Sequence, residues 1–273
     1  MSDAKPPRIL IIAGSDSGGG AGIQADIKTV TALGGFAMTA VTAITAQDTT
    51  GVHGIWPAPV EAVTKQVTVC LTDLGADIVK TGMLAGVDLL EALAEVLAEQ
   101  APQIPRIVDP VMVATSGDRL VDTATTDVLL SLLIRGAGLV TPNAPEAEIL
   151  TGKIVETVDG QRRAAEALLE AGAEAALVKG GHVDASPIID VLQTQYGEWL
   201  FETPRLDTSS THGTGCTLAS AIATELGFGA AMYEAVERAS TYLTGAIDNA
   251  SGFGAGHGPL NHAWRVERGR QNA

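Results

Sequence analysis

Aromatic side chains, cysteine and positive charge are all scarce in this chain. Of 273 residues only 4% are Phe, Trp or Tyr, although 46% are hydrophobic. A core of that composition is built from aliphatic residues and alanine, which suits helices packed closely on a parallel sheet. Two cysteines, Cys70 and Cys216, are too few for a disulfide framework. Lys and Arg number 17 against 32 Asp and Glu, a net charge of −15. A surface this acidic repels nucleic acid and anionic membranes, so neither is expected as a partner. No apolar run approaches the ~18 residues of a membrane-spanning helix. Lys5-Pro6-Pro7-Arg8 before a short apolar run does not form a secretory signal, so a cytoplasmic location is expected. The Walker pattern Gly-x4-Gly-Lys-Ser/Thr is also missing.

What is present reads as strands alternating with helices. Arg8 to Gly14 is a continuous apolar run ending in Gly, the pattern of a buried parallel strand. Further strands are expected at Met38–Thr45, Asp77–Gly82, Arg106–Pro110, Leu139–Pro142 and Ala175–Gly181. Helical spacing fills the intervals at 21–33, 61–74, 87–99, 123–133, 144–150 and 160–171. Residues 188–192 and 198–202, split by Tyr196-Gly197, look like an antiparallel hairpin. Helices at 215–226 and 232–250 follow, then a Gly- and His-rich tail expected to be loop. The βαβα order predicts a single α/β domain over residues 1–273: a doubly wound, mostly parallel sheet flanked by helices, with an antiparallel hairpin. Ligands in such folds gather at the C-terminal ends of the strands.

Polar motifs fall at those ends. Thr211-His212-Gly213-Thr214-Gly215-Cys216 precedes a small apolar helix, so its turn leaves N–H groups at a helix start, where anions bind. Cys216 in the first turn could take a proton. Asp109 ends one strand, Asn143 and Glu146 follow the next, Lys179 ends another, and Asp190 lies in the hairpin. Two acids with waters suit Mg²⁺, and Lys179 suits a phosphate as a point charge. Each has a plainer explanation: helix capping for Asn143, dipole stabilisation for Glu146, a turn acid for Asp109 and a surface cation for Lys179. Four such coincidences at adjacent strand ends are improbable together. Gly20-Ala21-Gly22-Ile23-Gln24-Ala25 fits the looser dinucleotide pattern, with Asp48 downstream, but residues 15–19 separate it from the strand that it should follow directly. It reads instead as a flap placing Ser15, Asp16 and Asp26 around a small ligand. His53, His182 and His212 have no metal-ligand spacing. His212 could touch phosphate or substrate, or face solvent.

In its order of motifs the chain resembles the hydroxymethylpyrimidine and phosphomethylpyrimidine kinases of thiamine synthesis, members of the ribokinase superfamily. The resemblance runs from Ile9 to Ile247. It is carried by Ala13-Gly14-Ser15-Asp16-Ser17-Gly18-Gly19-Gly20-Ala21-Gly22, Thr45-Ala46-Gln47-Asp48-Thr49, Lys80-Thr81-Gly82-Met83-Leu84, Asp109-Pro110-Val111-Met112, Thr141-Pro142-Asn143, Lys179-Gly180-Gly181-His182 and His212-Gly213-Thr214-Gly215-Cys216-Thr217. It implies a ribokinase-like fold and ATP- and Mg²⁺-dependent phosphorylation of 4-amino-5-hydroxymethyl-2-methylpyrimidine, then of its monophosphate. By the same resemblance, Gly14, Asp26, Gln47, Met83 and Val111 hold the pyrimidine, with Gln47 on its amino edge and Met83 and Val111 on its faces. Asn143 and Glu146 match the family's ATP and magnesium motif and Lys179 its phosphate contact, while the strand-end pattern itself puts Asp109 with Glu146 on the metal and Asn143 and Lys179 on the nucleotide. Gly213, Thr214 and Gly215 form the anion hole, and Cys216 acts as base or hydroxyl-orienting group. A pyridoxal kinase and a pyrimidine-binding sensor without turnover remain as alternatives. Relatives of this architecture usually pair, and Met38–Ile44 is expected to help form a homodimer.

Overall fold

The computed structural model describes residues 5–84, 86–112 and 123–266. In chain order its elements are β1 (Arg8–Ala13), α1 (Gly22–Ala32), β2 (Phe36–Val41), β3 (Ala43–Gln47), β4 (Val52–Pro57), α2 (Val60–Asp73), β5 (Ile78–Thr81), α3 (Val87–Gln100), β6 (Arg106–Val108), α4 (Thr123–Leu129), β7 (Leu139–Val140), α5 (Ala144–Thr151), α6 (Val158–Glu170), β8 (Ala175–Val178), β9 (Ile188–Thr194), β10 (Gly197–Thr203), α7 (Thr214–Gly227) and α8 (Met232–Asp248).

The main sheet has the order β10-β9-β8-β7-β6-β5-β1-β2. Strands β2, β1, β5, β6, β7 and β8 are parallel, and β9 and β10 continue the sheet antiparallel. Strand β1 pairs with β2 on one side and β5 on the other, so the strand order reverses there and a crevice opens beyond its C-terminal end. Side chains of β1 alternate between two cores. Leu10 and Ile12 pack with Val63, Leu90, Leu93 and Leu97 beneath α2 and α3. Ile9 and Ile11 pack with Val30, Ala219, Ile222 and Tyr242 beneath α1, α7 and α8. The expected shortage of aromatics is met by alanine: Ala219, Ala221 and Ala223 on α7 are all fully buried, which lets that helix lie close to the sheet. No helix among the described residues is long and apolar enough to cross a membrane.

Three stretches depart from the sequence reading. The run Met38–Thr45 is not one strand. At Thr42 the N–H bonds the Ala13 carbonyl at 3.0 Å and Oγ1 bonds the Met83 carbonyl at 2.8 Å, which fastens the chain as it leaves the main sheet. Strand β3 then pairs antiparallel with β4 as a separate two-stranded ribbon. Both halves are β-branched and extended, so local pattern could not locate the break, and β4, interrupted by Gly54, becomes legible only through its partner. After α4 the chain continues as a π-type turn over Leu130–Ile134. The tail also proves to be built in. Asn261 N–H bonds Ala246 O, Tyr242 OH bonds the His262 carbonyl at 2.7 Å, and Trp264 Nε1 bonds Tyr242 O at 3.1 Å.

Leu93 is fully buried beneath the sheet. Leu93→Ala should therefore lower unfolding stability by about 2–5 kcal/mol, read as a lower urea midpoint at unchanged slope.

Candidate active site

The site forms where the loops after β1, β3, β5, β6, β7 and β8 meet the start of α7. Gly213 is the N-cap of α7, with φ 83° and no side-chain cap bond. A Cβ there would overlap the Gly20 carbonyl, so only glycine allows the turn to back onto the loop after β1. Thr217 N–H makes the first helical bond, to the Gly213 carbonyl, and no acceptor among the described residues takes the N–H groups of Gly215 and Cys216. Open amides at a helix start carry partial positive charge and form an anion cradle.

Opposite the cradle stand the ends of β6, β7 and β8. Asp109 is 2% exposed; its Oδ1 accepts from Thr141 Oγ1 at 3.0 Å and from Lys179 Nζ at 3.2 Å. Its Oδ2 is buried and has no partner among the described residues. A Cβ on Gly215 would lie 3.2 Å from Lys179 Nζ and 3.7 Å from Asp109 Oδ2, so the cradle, the ammonium and the carboxylate face one another. Asn143 and Glu146 close a reciprocal capping box: Asn143 Oδ1 accepts from Glu146 N–H at 2.9 Å and Glu146 Oε2 from Asn143 N–H at 2.8 Å. The plainer role weighed for them is therefore present, and it holds Glu146 at the site. Burial and the nearby Asp109 push the Glu146 carboxyl up to about 7, with Lys179 opposing. An orphaned carboxylate oxygen beside a second acid fits a magnesium ion, which takes few protein ligands. Among the described residues no cluster of three or more His, Cys, Asp or Glu forms a larger metal site.

The residues that the resemblance assigns to the pyrimidine come from the loops after β1, β5 and β6, the end of β3 and, for Asp26, α1. Met83 packs so closely on Gly14 that a Cβ there would collide with its methyl group. Gln47 ends β3 and is half-buried; its backbone N–H bonds Ser17 Oγ at 2.8 Å. Val111, half-buried, follows Asp109 on the loop after β6. Asp26 is placed differently: it is fully buried, with both oxygens 3.0 Å from Lys80 Nζ and Oδ1 accepting from Ser220 Oγ at 2.7 Å. Its carboxylate anchors α1 to β5 and α7.

Lys80 was not singled out by sequence reading beyond its place in a motif, because lysine usually belongs to the surface. Here it is wholly buried; burial would lower its pKa, but the charges of Asp26 and Asp109 outweigh it and raise it. Cys216 behaves oppositely. Burial, followed by the charges of Asp26 and Asp109, pushes its thiol up to about 12, although Lys80 and the Gly22 N–H pull it down. The first-turn cysteine is thus a neutral thiol in this state. His212, for which a solvent-facing position had been weighed, is 5% exposed, with Nε2 2.9 Å from Asp16 Oδ2. His262 in the tail is buried against Thr217 Oγ1 at 3.0 Å.

Removing Lys80 alone leaves a buried unpaired carboxylate. Lys80→Met should cost about 3–5 kcal/mol, and adding Asp26→Leu should recover most of it, read by chemical denaturation. Glu146 binds its proton more tightly folded than unfolded, since its ordinary pKa is 4.5. Its contribution to stability is therefore full below that value and lost as pH rises through about 7. In metal-free protein the melting temperature should fall from about pH 5 to about 8 more steeply than in Glu146→Gln, and Mg²⁺ should reverse the difference.

Comparison with known proteins supports the reading independently. The Phosphomethylpyrimidine kinase family profile matches residues 16–261. The chain is 46% identical over 261 residues to the hydroxymethylpyrimidine/phosphomethylpyrimidine kinase of Streptomyces coelicolor, covering 96% of both chains. Among solved structures, a pyridoxal kinase from Staphylococcus aureus in complex with ADP matches with TM-score 0.89 and 32% identity over 96% of this chain and 95% of that one. A phosphomethylpyrimidine kinase from Clostridium difficile matches with TM-score 0.79 and 37% identity over 88% and 99%. A cradle of open amides facing a buried lysine–aspartate pair, on a fold shared with nucleotide-binding kinases, agrees with these likenesses, and the chain belongs to the phosphomethylpyrimidine kinase family.

Proposed function

We propose that the chain transfers the γ-phosphoryl group of ATP to the alcohol of 4-amino-5-hydroxymethyl-2-methylpyrimidine, and then a second phosphoryl group to the monophosphate, in thiamine biosynthesis. The observation that carries this reading is the uncapped start of α7 held opposite Asp109 and Lys179. Phosphoryl transfer asks the protein chiefly for positioning and charge stabilisation, and that arrangement provides both. The pyrimidine lies among Gly14, Gln47, Met83 and Val111, with Gln47 against its amino edge. Asp26 acts from beneath through Lys80. The open amides of Gly215 and Cys216 receive the migrating phosphoryl group beside Gly213 and Thr214, and Lys179 neutralises the nucleotide phosphates beside Asn143. Asp109 and Glu146 would hold Mg²⁺, which when bound would offset negative charge on the phosphate oxygens. The alcohol oxygen bonds phosphorus as the bond to ADP breaks. The neutral Cys216 sulfur accepts the hydroxyl's hydrogen bond and turns its lone pair toward phosphorus. The proton departs late, to a phosphoryl oxygen or water, because the transition state is loose.

A groove is also available for the nucleoside. About 380 Å³ in volume, it runs between β10 and α8, lined by Leu200, Thr203, Pro204, Glu237, Ser240 and Thr244. Strand β10 runs toward the rim that carries Lys179, and Ser240 Oγ is buried without a partner among the described residues. The chain acts as a single domain. It pairs through the β3–β4 ribbon, where Ile44 is 61% and Trp56 59% exposed; buried Met38 takes no part. The chain works in the cytoplasm, and its acidic surface keeps it from nucleic acid and membrane.

The likeness to the Staphylococcus aureus pyridoxal kinase favours a second reading, phosphorylation of pyridoxal-type alcohols. An ADP-release assay with the hydroxymethylpyrimidine, its monophosphate and pyridoxal separates the readings. Release with the first two is expected, with Lys179→Met lowering kcat by about 10²–10³-fold and Cys216→Ser retaining most of it. Release with pyridoxal alone would establish the second reading, and binding without release to any of them would mark a sensor.

A further inference from the structure

Asp16, in the loop after β1, gathers an unusual set of donors. Its Oδ1 accepts from Gly18 N–H at 2.8 Å, and its Oδ2 accepts from Gly20 N–H at 2.9 Å and Ala21 N–H at 2.7 Å. His212 Nε2 lies 2.9 Å from the same Oδ2, and both residues are buried. The His212 ring rests on Gly20, where a Cβ would come within 2.5 Å of Cδ2. The next residue, Gly213, backs onto the Gly20 carbonyl and caps α7. On its other side the loop is laced to β3: Ser17 Oγ donates to Gln47 O at 2.7 Å, and Thr45 Oγ1 donates to Ser15 O at 2.8 Å. Gln47 Nε2 lies 3.5 Å from His212 Nε2. Burial would raise the Asp16 carboxyl, but His212 and the loop N–H groups outweigh it and hold it below the ordinary range. Asp16 is thus an anion at neutral pH, and the histidine nitrogen facing it bears the hydrogen.

We propose that His212 is a positioning residue: through Asp16 it locks the pyrimidine-side loop onto the anion-binding turn and so fixes the distance between acceptor alcohol and migrating phosphoryl group. The proposal rests on the kinase reading above. A displacement of ~1 Å between reacting groups costs about 10²-fold in rate. The lock joins the two half-sites where Gly20 meets His212 and Gly213, so loosening it shifts one half against the other without removing a ligand contact. The phosphoryl group then transfers to water in place of the misaligned alcohol, giving ADP and inorganic phosphate.

The test compares His212→Gln with His212→Asn, together with His212→Leu. Glutamine carries an N–H about as far along the side chain as Nε2 and can reach Asp16; asparagine falls short. The measured quantities are kcat, KM for each substrate, melting temperature, and ADP released per phosphorylated pyrimidine. Wild type should release one ADP per product; if it forms no phosphorylated pyrimidine, the kinase reading itself fails. The Asn and Leu variants should lose about 10- to 100-fold in kcat, keep KM for ATP within about twofold, and release excess ADP. The Gln variant should recover both kcat and the one-to-one ratio. Wild-type coupling in the Asn and Leu variants, or equal losses in Gln and Asn that track melting temperature, would overturn the proposal. Should the Leu variant not fold, the comparison of Gln with Asn decides by the same criteria.

Discussion

The uncapped start of α7 imposes a condition that its surroundings must meet. The first N–H groups of a helix have no partner within it, and at α7 no side chain among the described residues caps them. The amides and the helix dipole can then act on an anion, but only if the backbone around them stays open and fixed. Gly213 supplies the left-handed cap, and Gly20 supplies a surface close enough to support it. Behind the turn, Thr217 bonds His262 and Ser220 bonds Asp26, so the helix is held from the tail and from the core. The chain carries net charge −15, so an anion site has to be a local construction of this kind.

Buried charge is arranged accordingly. The Lys80–Asp26 pair lies fully beneath the floor, and Lys179–Asp109 lies at its edge, 13% and 2% exposed. Pairing keeps either lysine from standing alone in the low-dielectric interior. Asp109 retains one oxygen without a partner among the described residues, and Glu146 holds a carboxyl whose pKa is displaced upward to about 7. Such an oxygen beside a second acid is an arrangement that a cation would relieve. Cys216 stands among the same charges, yet burial keeps it protonated.

Much of this was legible in the sequence, for reasons that differ by element. Buried parallel strands such as Arg8–Ala13 announce themselves as unbroken apolar runs, and the hairpin through Tyr196-Gly197 announces itself by its turn. The strand-end acids and Lys179 stood out because polar residues there are set against apolar surroundings. Other parts gave no local signal. Strands β2 and β3 read as one because the bend at Thr42 is made by partners at Ala13 and Met83. Lys80 and Asp26 lie 54 positions apart, and either alone resembles a surface residue. The tail gave only Gly and His, whereas its order comes from docking on α8. The segment 113–122, after Val111, lies outside the described residues.

Local composition determined the class of the protein: apolar runs in alternation with amphipathic helices admit little but a doubly wound sheet, and glycine before a small-residue helix admits an anion site. Tertiary structure decided which charges meet. Asp16 with His212, and Lys80 with Asp26, are joined across 196 and 54 positions of chain. Attraction between buried charges depends on distance in space and on the water excluded around them, and both exist only once the sheet has brought its strand ends together.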